Sequence, residues 1–318
     1  MKQEASSADP KEEPRRPGTP PPCRLFVLLA RENPIGVILR RGPTRWVQLI
    51  KWHTGKDTFE PGQWLHARVC EHRCDLSPAG DLLVYHAYKP PANPSSWTAV
   101  SKPPWFTALA VWPTNGSWFG GGLFLDQHTL YLDQLDPALL PKFQPTPFRV
   151  VFGEGYFLGE NSGRPAGAWP RAGGNPAPPP SCMREERLWR TGWRLIQPGV
   201  FRRKRQATEQ PEIWTKARPD GRHWLEMRSS LRVPGQGPLP NDWPYAVAYT
   251  VRGESDFAME LPDVTWADWD HQGHLVFAKE GRLFRQKSCR RWPGAPRQLA
   301  DFNDRRPQLI VAPGLTGH

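Results

Sequence analysis

The residues best suited to acid–base chemistry lie in one short stretch near the end of the chain, Asp268-Trp-Asp-His-Gln-Gly-His274. Asp268 and Asp270 could exchange protons with His271 and His274, so the four could act as general acid and base. Two histidines three apart could also ligate a metal ion. The stretch equally fits a hairpin turn, because aspartate caps turns and the histidines would flank Gly273. We favour the turn and keep the four residues as catalytic candidates.

A second group, Cys70, His72 and Cys74, could bind zinc. Residues two apart share a face of a β-strand, so a strand here would line up both thiols and the imidazole. A single flat strand cannot surround a tetrahedral ion, however, and no fourth ligand is identifiable in the sequence. We therefore predict two small buried cysteines beside a hydrogen-bonded histidine, without a bound metal or other cofactor.

The densest positive charge lies between residues 184 and 205, where eight Arg and Lys residues face only Glu185 and Glu186. Arginines interleaved with aromatic rings suit single-stranded nucleic acid, because the cations contact phosphates and the rings stack on bases. They also suit an acidic protein surface. Nucleic-acid binding would require these charges to form one contiguous surface stripe, whereas the alternative is a solvated face with its tryptophans in the core. The candidate binding residues are Trp189, Arg190, Trp193, Arg194, Arg202, Arg203, Lys204 and Arg205.

Tight turns with a glycine at the corner must position these groups. In Asp75-Leu-Ser-Pro-Ala-Gly-Asp-Leu-Leu-Val-Tyr85, Pro78 presets the first corner of a turn and Gly80 accepts the positive φ that closes it. An apolar strand follows. The pattern returns at Gly273 and, more weakly, at Gly221 and Gly116, with gaps of 36, 105 and 52 residues between successive turn glycines. Repeats of roughly 40–50 residues are typical of four-stranded propeller blades.

The segments around Gly80 and Gly273 resemble the TolB-like propeller repeat, whose blades carry a Ser-Pro-Asp-Gly turn followed by an apolar strand. This resemblance implies an all-β, β-propeller-like fold, for which we expect about five or six blades of antiparallel strands. Arg24–Arg31 and Trp97–Ser101 also resemble segments of uncharacterised bacterial proteins, a resemblance that implies no activity.

Composition supports a chain of strands and turns. The 318 residues include 38 prolines and 28 glycines, which nearly exclude long helices, and 16 tryptophans, which supply apolar area for packing sheet on sheet. The net charge of +11 favours polyanions or acidic protein surfaces as partners. Five irregularly spaced cysteines argue against a disulfide framework. Residues 1–22 contain no secretory signal, and the chain has no apolar run long enough for a membrane span, so we expect a cytoplasmic protein without membrane contact.

Along the chain we predict a single domain with an interruption. Residues 1–22 form a disordered tail, 23–158 the first part of the propeller, 159–182 a Pro/Gly-rich inserted loop, and 183–318 the second part. A strand is expected over Leu188–Ile196. We also predict that Leu25–Ala30 closes the ring by pairing near Arg297–Ala300, as early strands of propellers often do.

Three functions fit these patterns. The first is a non-enzymatic scaffold whose loops bind a macromolecule, above all a protein. The second is a hydrolase or lyase with an Asp/His site at the propeller channel, which would show carboxylates or imidazoles converging in a concave pocket. The third is single-stranded nucleic-acid binding through the 184–205 segment. A carbohydrate-binding propeller ranks below these, because no secretion signal accompanies the tryptophans.

Overall fold

A computed structural model describes residues 21–42, 45–114, 120–133, 148–152, 180–202, 207–231, 245–287 and 294–313. The described residues form an all-β fold with one α-helix, which confirms the predicted class. Among these residues, no helix has the length and apolar character that crossing a membrane requires. The predicted tail and inserted loop lie almost entirely outside the described residues.

The first two sheets occupy most of the N-terminal half. Sheet 1 is an antiparallel meander of four strands, β1 to β4: Arg24–Leu29, Ile35–Arg41, Trp46–His53 and Thr58–His66. Sheet 2 has five strands, β5 to β9: Arg68–Val69, Asp75–Leu76, Leu83–Tyr88, Ser96–Ser101 and Ala108–Thr114. In sheet 2 the central strand β7 pairs with β5 and β6 on one side and with β8 on the other, and β9 forms the outer edge.

Sheet 3 is smaller and mixed. Its strands β10 to β12 are Gly122–Phe124, Thr129–Leu132 and Arg149–Phe152. β10 and β11 are antiparallel, whereas β11 and β12 run parallel. Helix α1, Pro180–Arg190, follows, with a proline at its first position, where the missing N–H removes no hydrogen bond.

Sheets 4 and 5 complete the fold. Sheet 4 contains β13 (Arg194–Gln197) and β16 to β19 (Glu212–Ala217, His223–Leu231, Tyr245–Gly253 and Ala258–Leu261). A separate ribbon pairs β14 (Val200–Arg202) with β15 (Ala207–Gln210). Sheet 5 is an antiparallel meander of β20 to β23: Val264–Trp269, Leu275–Lys279, Arg282–Gln286 and Arg297–Asp301.

The five sheets follow one another around a closed ring. β1 contacts β6 of sheet 2 and β20 of sheet 5, β10 packs on β6 and β7, and β18 packs on β20. Between sheets 3 and 4 the contact is made by helix α1, which touches both β10 and β13. The apolar cores accordingly lie between neighbouring sheets: one joins sheets 1, 2 and 5, another sheets 4 and 5, and a third sheets 2 and 3. This is a propeller-like arrangement.

The predicted closing strand is wrong. Leu25–Ala30 pairs with β2 inside sheet 1, and Arg297–Asp301 pairs with β22 inside sheet 5. The ring closes through side chains instead. Buried Arg40 donates to the carbonyl oxygens of Phe302 (3.1 Å), Asn303 (3.1 Å) and Arg305 (3.2 Å). The first sheet thereby holds the segment that leaves the last one.

The predicted glycine turns are confirmed at three positions. Gly80, Gly221 and Gly273 have φ values of +81°, +70° and +73°. Each donates its backbone N–H to the carbonyl three residues earlier, on Ser77, Arg218 and Asp270 respectively. The fourth predicted turn, at Gly116, lies outside the described residues.

Helix α1 was not predicted. The strand expected over Leu188–Ile196 is wrong: the helix runs to Arg190, a turn follows, and β13 begins at Arg194. The helix packs between sheets 3 and 4, where it contacts β10 and β13. Met183 joins Leu123 and Tyr131 in a small core of its own.

Candidate functional site at the centre of the ring

Three arginines of helix α1 connect three of the sheets. Arg184, Arg187 and Arg190 are three residues apart and therefore lie near one another on the helix surface. Arg184 reaches sheet 4, where it donates to Glu212 Oε2 (2.7 Å) and Ser229 Oγ (2.8 Å). Its guanidinium also lies 4.3 Å from the centre of the Tyr245 ring. These contacts fasten one side of the helix.

Arg187 points the other way, into sheet 2. Its Nη1 donates to the carbonyl oxygens of Glu71 (2.7 Å) and Cys74 (2.6 Å). Burial lowers the pKa of this guanidinium because the charged form loses its hydration. Arg190 binds Glu186 Oε1 (2.8 Å) on its own helix and the carbonyl of Leu125 (3.1 Å) beside sheet 3. The helix thus fills the gap in the ring and anchors its neighbours by charge-assisted hydrogen bonds.

The described residues between 184 and 200 do not form the contiguous surface stripe that nucleic-acid binding would need. Arg184 and Arg187 are buried, and so is Trp193. Arg194 is exposed and lies over the ring of Trp189, with 5.2 Å between the guanidinium carbon and the ring centre. The side chain of Arg202 and residues 203–205 lie outside the described part of the structure.

A cavity of about 420 Å³ opens where helix α1 faces sheets 1, 4 and 5. Its apolar wall includes Phe26, Trp193, Met227, Tyr249 and Trp266. Its lining also carries cations and carboxylates: Arg31, Asp75, Arg184, Arg187, Arg190, Lys216, Asp268 and Asp270. The rim reaches solvent at Gly192 and His271, which are exposed. We regard this cavity as the candidate site.

Asp75 and Arg31 form the polar end of the cavity. The N–H of Phe124 donates to Asp75 Oδ2 at 2.9 Å, and Arg31 Nη1 lies 3.8 Å from the same oxygen. Arg31 Nη2 donates to the Phe124 carbonyl at 3.0 Å. Burial raises the pKa of Asp75, and the positive charge of Arg31 opposes that rise. The carboxylate of Asp75 thereby links β6 to β10 by a hydrogen bond.

The two carboxylates predicted for acid–base chemistry, Asp268 and Asp270, both line the cavity, and both already have hydrogen-bond or ion-pair partners. Asp268 Oδ1 lies 2.5 Å from Lys216 Nζ and accepts from the Trp269 N–H. Asp270 caps the Gly273 turn by accepting from the N–H groups of Gln272 and His274, both at 2.9 Å. Its second oxygen lies 2.9 Å from Arg285 Nε. The turn-capping role expected of Asp270 is confirmed.

The two histidines of that stretch separate. His271 lines the cavity rim, and its Nε2 lies 3.0 Å from the Ala30 carbonyl of sheet 1. His274 Nδ1 lies 3.4 Å from Asp270 Oδ1 and is not part of the cavity lining. Of the four catalytic candidates, Asp268, Asp270 and His271 therefore share one concave site.

The strand that would align Cys70, His72 and Cys74 is not formed, because Glu71–Arg73 is a single 3₁₀ turn. Cys74 Sγ donates to the Cys70 carbonyl, and burial raises the pKa of both thiols. His72 faces the cavity between the rings of Phe26 and Tyr245. Burial, with repulsion from Arg184 and Arg187, holds its pKa well below 6.5, so the imidazole is neutral. Within the ranges that the structure describes, no three His, Cys, Asp or Glu side chains converge as metal ligands.

Sequence reasoning missed Arg31 and Lys216 as site residues. Arg31 was the residue that ends the first apolar run, and Lys216 precedes the Gly221 turn by five positions. Nothing local distinguishes either from a solvent-exposed cation. The available clue was the position of their partners in the sequence. Asp75, the partner of Arg31, and Asp268, the partner of Lys216, each lie next to one of the repeated turns.

No protein-family model, curated protein or solved structure matches the chain. The fold and the site geometry therefore carry the functional argument alone.

Proposed function

We propose that this chain is a non-enzymatic binding protein, a propeller of the TolB-like kind, whose outer surface holds an acidic protein partner. The three hairpins cornered by Gly80, Gly221 and Gly273 support the TolB-like assignment, because they repeat one turn geometry. The binding role is supported above all by a group of exposed apolar side chains on one side of the ring.

Four of the six large apolar side chains that are exposed in the described residues belong to two neighbouring segments. Leu109 and Val111 project from β9, and Leu309 and Val311 from the C-terminal segment. We call these four residues the apolar edge. Scattered exposed apolar residues need no explanation, but a cluster rimmed by polar groups is typical of a protein interface.

Gln63 holds the two segments of the apolar edge together. Its Oε1 accepts from the N–H of Thr107 at 2.8 Å, and its Nε2 donates to the Ile310 carbonyl at 3.2 Å. Leu109 is two residues beyond Thr107 along an extended strand, or about 7 Å. Leu309 and Val311 flank Ile310 directly. All four residues therefore lie within a few positions of a backbone group that Gln63 binds.

β9 also offers hydrogen-bonding groups. It is the last strand of sheet 2 and pairs only with β8 among the described strands. An extended segment of a partner could add to this edge by main-chain hydrogen bonds, with its side chains against Leu109 and Val111. Exposed Lys102 directly follows β8, whose last residue Ser101 pairs with the first residue of β9, and exposed Arg306 lies three residues before Leu309. These positive charges favour a partner segment with acidic residues.

The central cavity gives less support to catalysis. Asp268 is paired with Lys216, and Asp270 with the turn amides and Arg285. A general base must be able to take a proton from the substrate, and these pairings already occupy the carboxylate oxygens. The engagement of both carboxylates supports a binding role over a hydrolase or lyase.

The test is site-directed photo-crosslinking in the cells that make the protein. A photoreactive phenylalanine at position 111 should yield a cross-link to one other protein, which mass spectrometry identifies. The same residue at position 196 is the matched control, because Ile196 is also exposed and lies on β13 of sheet 4. A cross-link only to a second copy of the chain, no cross-link, or the same product from both positions would contradict the proposal.

A further inference from the structure

The positive charges around the cavity outnumber the carboxylates that can balance them. Arg184 is paired with Glu212, Arg190 with Glu186, and Lys216 with Asp268. Arg31 and Arg187 are left with Asp75 as the nearest shared carboxylate: it lies 3.8 Å from Arg31, and its charge acts on Arg187. Two buried or half-buried cations thus share one anion, which leaves about one positive charge to be compensated.

Arg31 also keeps an unused hydrogen-bond donor at this point. Its Nη2 donates to the Phe124 carbonyl, but its Nη1 is buried and has no hydrogen-bond acceptor among the described residues. A buried donor without an acceptor costs about 1–3 kcal/mol, and more for a charged group. Nearly all buried polar groups of native proteins have a hydrogen-bond partner, and here the adjoining cavity has room for a ligand that supplies the acceptor.

The rest of the wall is suited to an apolar body. Trp193, Trp266 and Tyr249 contribute aromatic surface, and Met227 and Val247 contribute flexible and branched aliphatic surface. At about 420 Å³ the cavity falls within the roughly 300–1,000 Å³ of small-molecule sites. Such sites combine an apolar lining with a few polar groups that fix the orientation of the ligand.

We infer that the central cavity binds a small organic anion, a molecule with one carboxylate or phosphate group at Arg31 and an aromatic or aliphatic body against Trp193 and Trp266. The ligand enters past Gly192 and His271. Its anionic group supplies the missing acceptor for Arg31 Nη1 and balances the charge that Arg31 and Arg187 share with Asp75. This site is separate from the apolar edge and does not depend on the protein partner.

The test is calorimetric titration of the full chain with three probes of one shape class: phenylacetate, phenyl phosphate and uncharged phenylacetamide. At least one of the two anions should bind saturably with a Kd below about 1 mM and at least about tenfold more tightly than the amide, because the charge-assisted hydrogen bond is lost in the amide. The comparison of phenylacetate with phenyl phosphate identifies the anionic group.

Three variants locate the site. R31Q should weaken anion binding by about tenfold or more while leaving phenylacetamide unchanged. A217W should abolish binding of all probes, since exposed Ala217 lines the rim and a large ring there fills the entrance without disturbing the core. R149Q, at an exposed position of β12 outside the cavity, is the control and should bind as the wild type does.

Equal affinity for phenylacetamide, no anion binding, or anion binding that survives A217W would each overturn the inference. A217W also decides the matter if R31Q fails to fold, because its position is exposed. Thermal unfolding of each variant establishes that the titrated protein is native.

Discussion

Arg285 Nη1 lies 2.7 Å from Asp57 Oδ2, although 228 residues separate the two in the chain. Asp57 stands in the turn between β3 and β4 of sheet 1, and Arg285 is on β22 of sheet 5. Arg285 Nη2 also donates to the Thr54 carbonyl, and Arg297 binds Asp57 from the same sheet. The ring is therefore joined at this point by ion pairs between buried Arg285, half-buried Asp57 and exposed Arg297.

Replacing Asp57 should weaken that junction. D57N keeps the left-handed backbone conformation, φ +54°, which asparagine tolerates, but removes the charge that faces buried Arg285. We expect a loss of about 1–3 kcal/mol in the free energy of unfolding, measured by urea denaturation. D263N is the control, because Asp263 also has a positive φ, of +61°, yet its pair with Lys279 is exposed. Equal effects of the two substitutions would contradict the assigned role.

Arg40 should hold the C-terminal segment in place. R40M removes the donors to the carbonyls of Phe302, Asn303 and Arg305, so we expect a loss of about 2–3 kcal/mol in the free energy of unfolding and faster tryptic cleavage after Arg305. Limited proteolysis followed by mass spectrometry measures the cleavage at Arg305; the bond after Arg306 resists trypsin because Pro307 follows it. R282M removes an exposed ion pair with Asp301 at the same corner and should leave the cleavage rate unchanged. Unaltered cleavage in R40M would show that the segment is held by other contacts.

Gly62 marks a close approach between β4 and the segment before β9. A Cβ at this position would lie 1.8 Å from the Pro104 carbonyl oxygen, which is backbone and cannot move aside. G62A should therefore destabilise the fold by at least about 2 kcal/mol. At Gly55 the nearest atom to an added Cβ is 3.8 Å away, and G55A should stay within about 0.5 kcal/mol of the wild type. Thermal unfolding distinguishes the two outcomes.

His86 should make the fold sensitive to acid. It is fully buried beneath Gly120, its Nδ1 lies 3.3 Å from Thr98 Oγ1, and burial, with repulsion from Arg73, lowers its pKa from 6.5 to about 3. A depressed pKa means that the folded state releases the proton more readily than the unfolded one. The resulting stability is present above pH 6.5 and is lost as the pH falls from 6.5 towards 3, by up to about 1.4 kcal/mol per pH unit.

The substitution H86Q isolates this dependence, because the amide can still meet Thr98 but does not titrate. Urea unfolding at several pH values between 7 and 4 should show a steeper decline for the wild type than for H86Q. Parallel declines would mean that His86 becomes protonated without unfolding.

Local rules were enough to predict the hairpins. Gly80, Gly221 and Gly273 have positive φ because each turn requires it, and the residues next to each glycine determine the turn. Asp270 as a turn cap follows from the same short-range chemistry. The all-β class follows from the frequency of proline and glycine, which leaves few windows for a helix.

The predictions that were wrong concern features that depend on long-range contacts. Arginine is usually exposed, so nothing near Arg187 predicts its burial; the carbonyls that receive it come from Glu71 and Cys74, more than 110 residues earlier. The predicted pairing of Leu25–Ala30 with Arg297–Ala300 was wrong for the same reason, because the partner of an edge strand is chosen by residues far away in the sequence. The cavity of the candidate site depends on how sheets 1, 4 and 5 meet, which no single segment encodes.

The contact between Asp57 and Arg285 can form only late in the synthesis of the chain. At roughly 5–20 residues per second, a ribosome needs on the order of ten to fifty seconds to make the chain between them. Throughout that interval Trp52, which is fully buried beneath Arg285 in the finished protein, has no last sheet to cover it. We therefore expect chaperones to bind the nascent chain until translation is nearly complete.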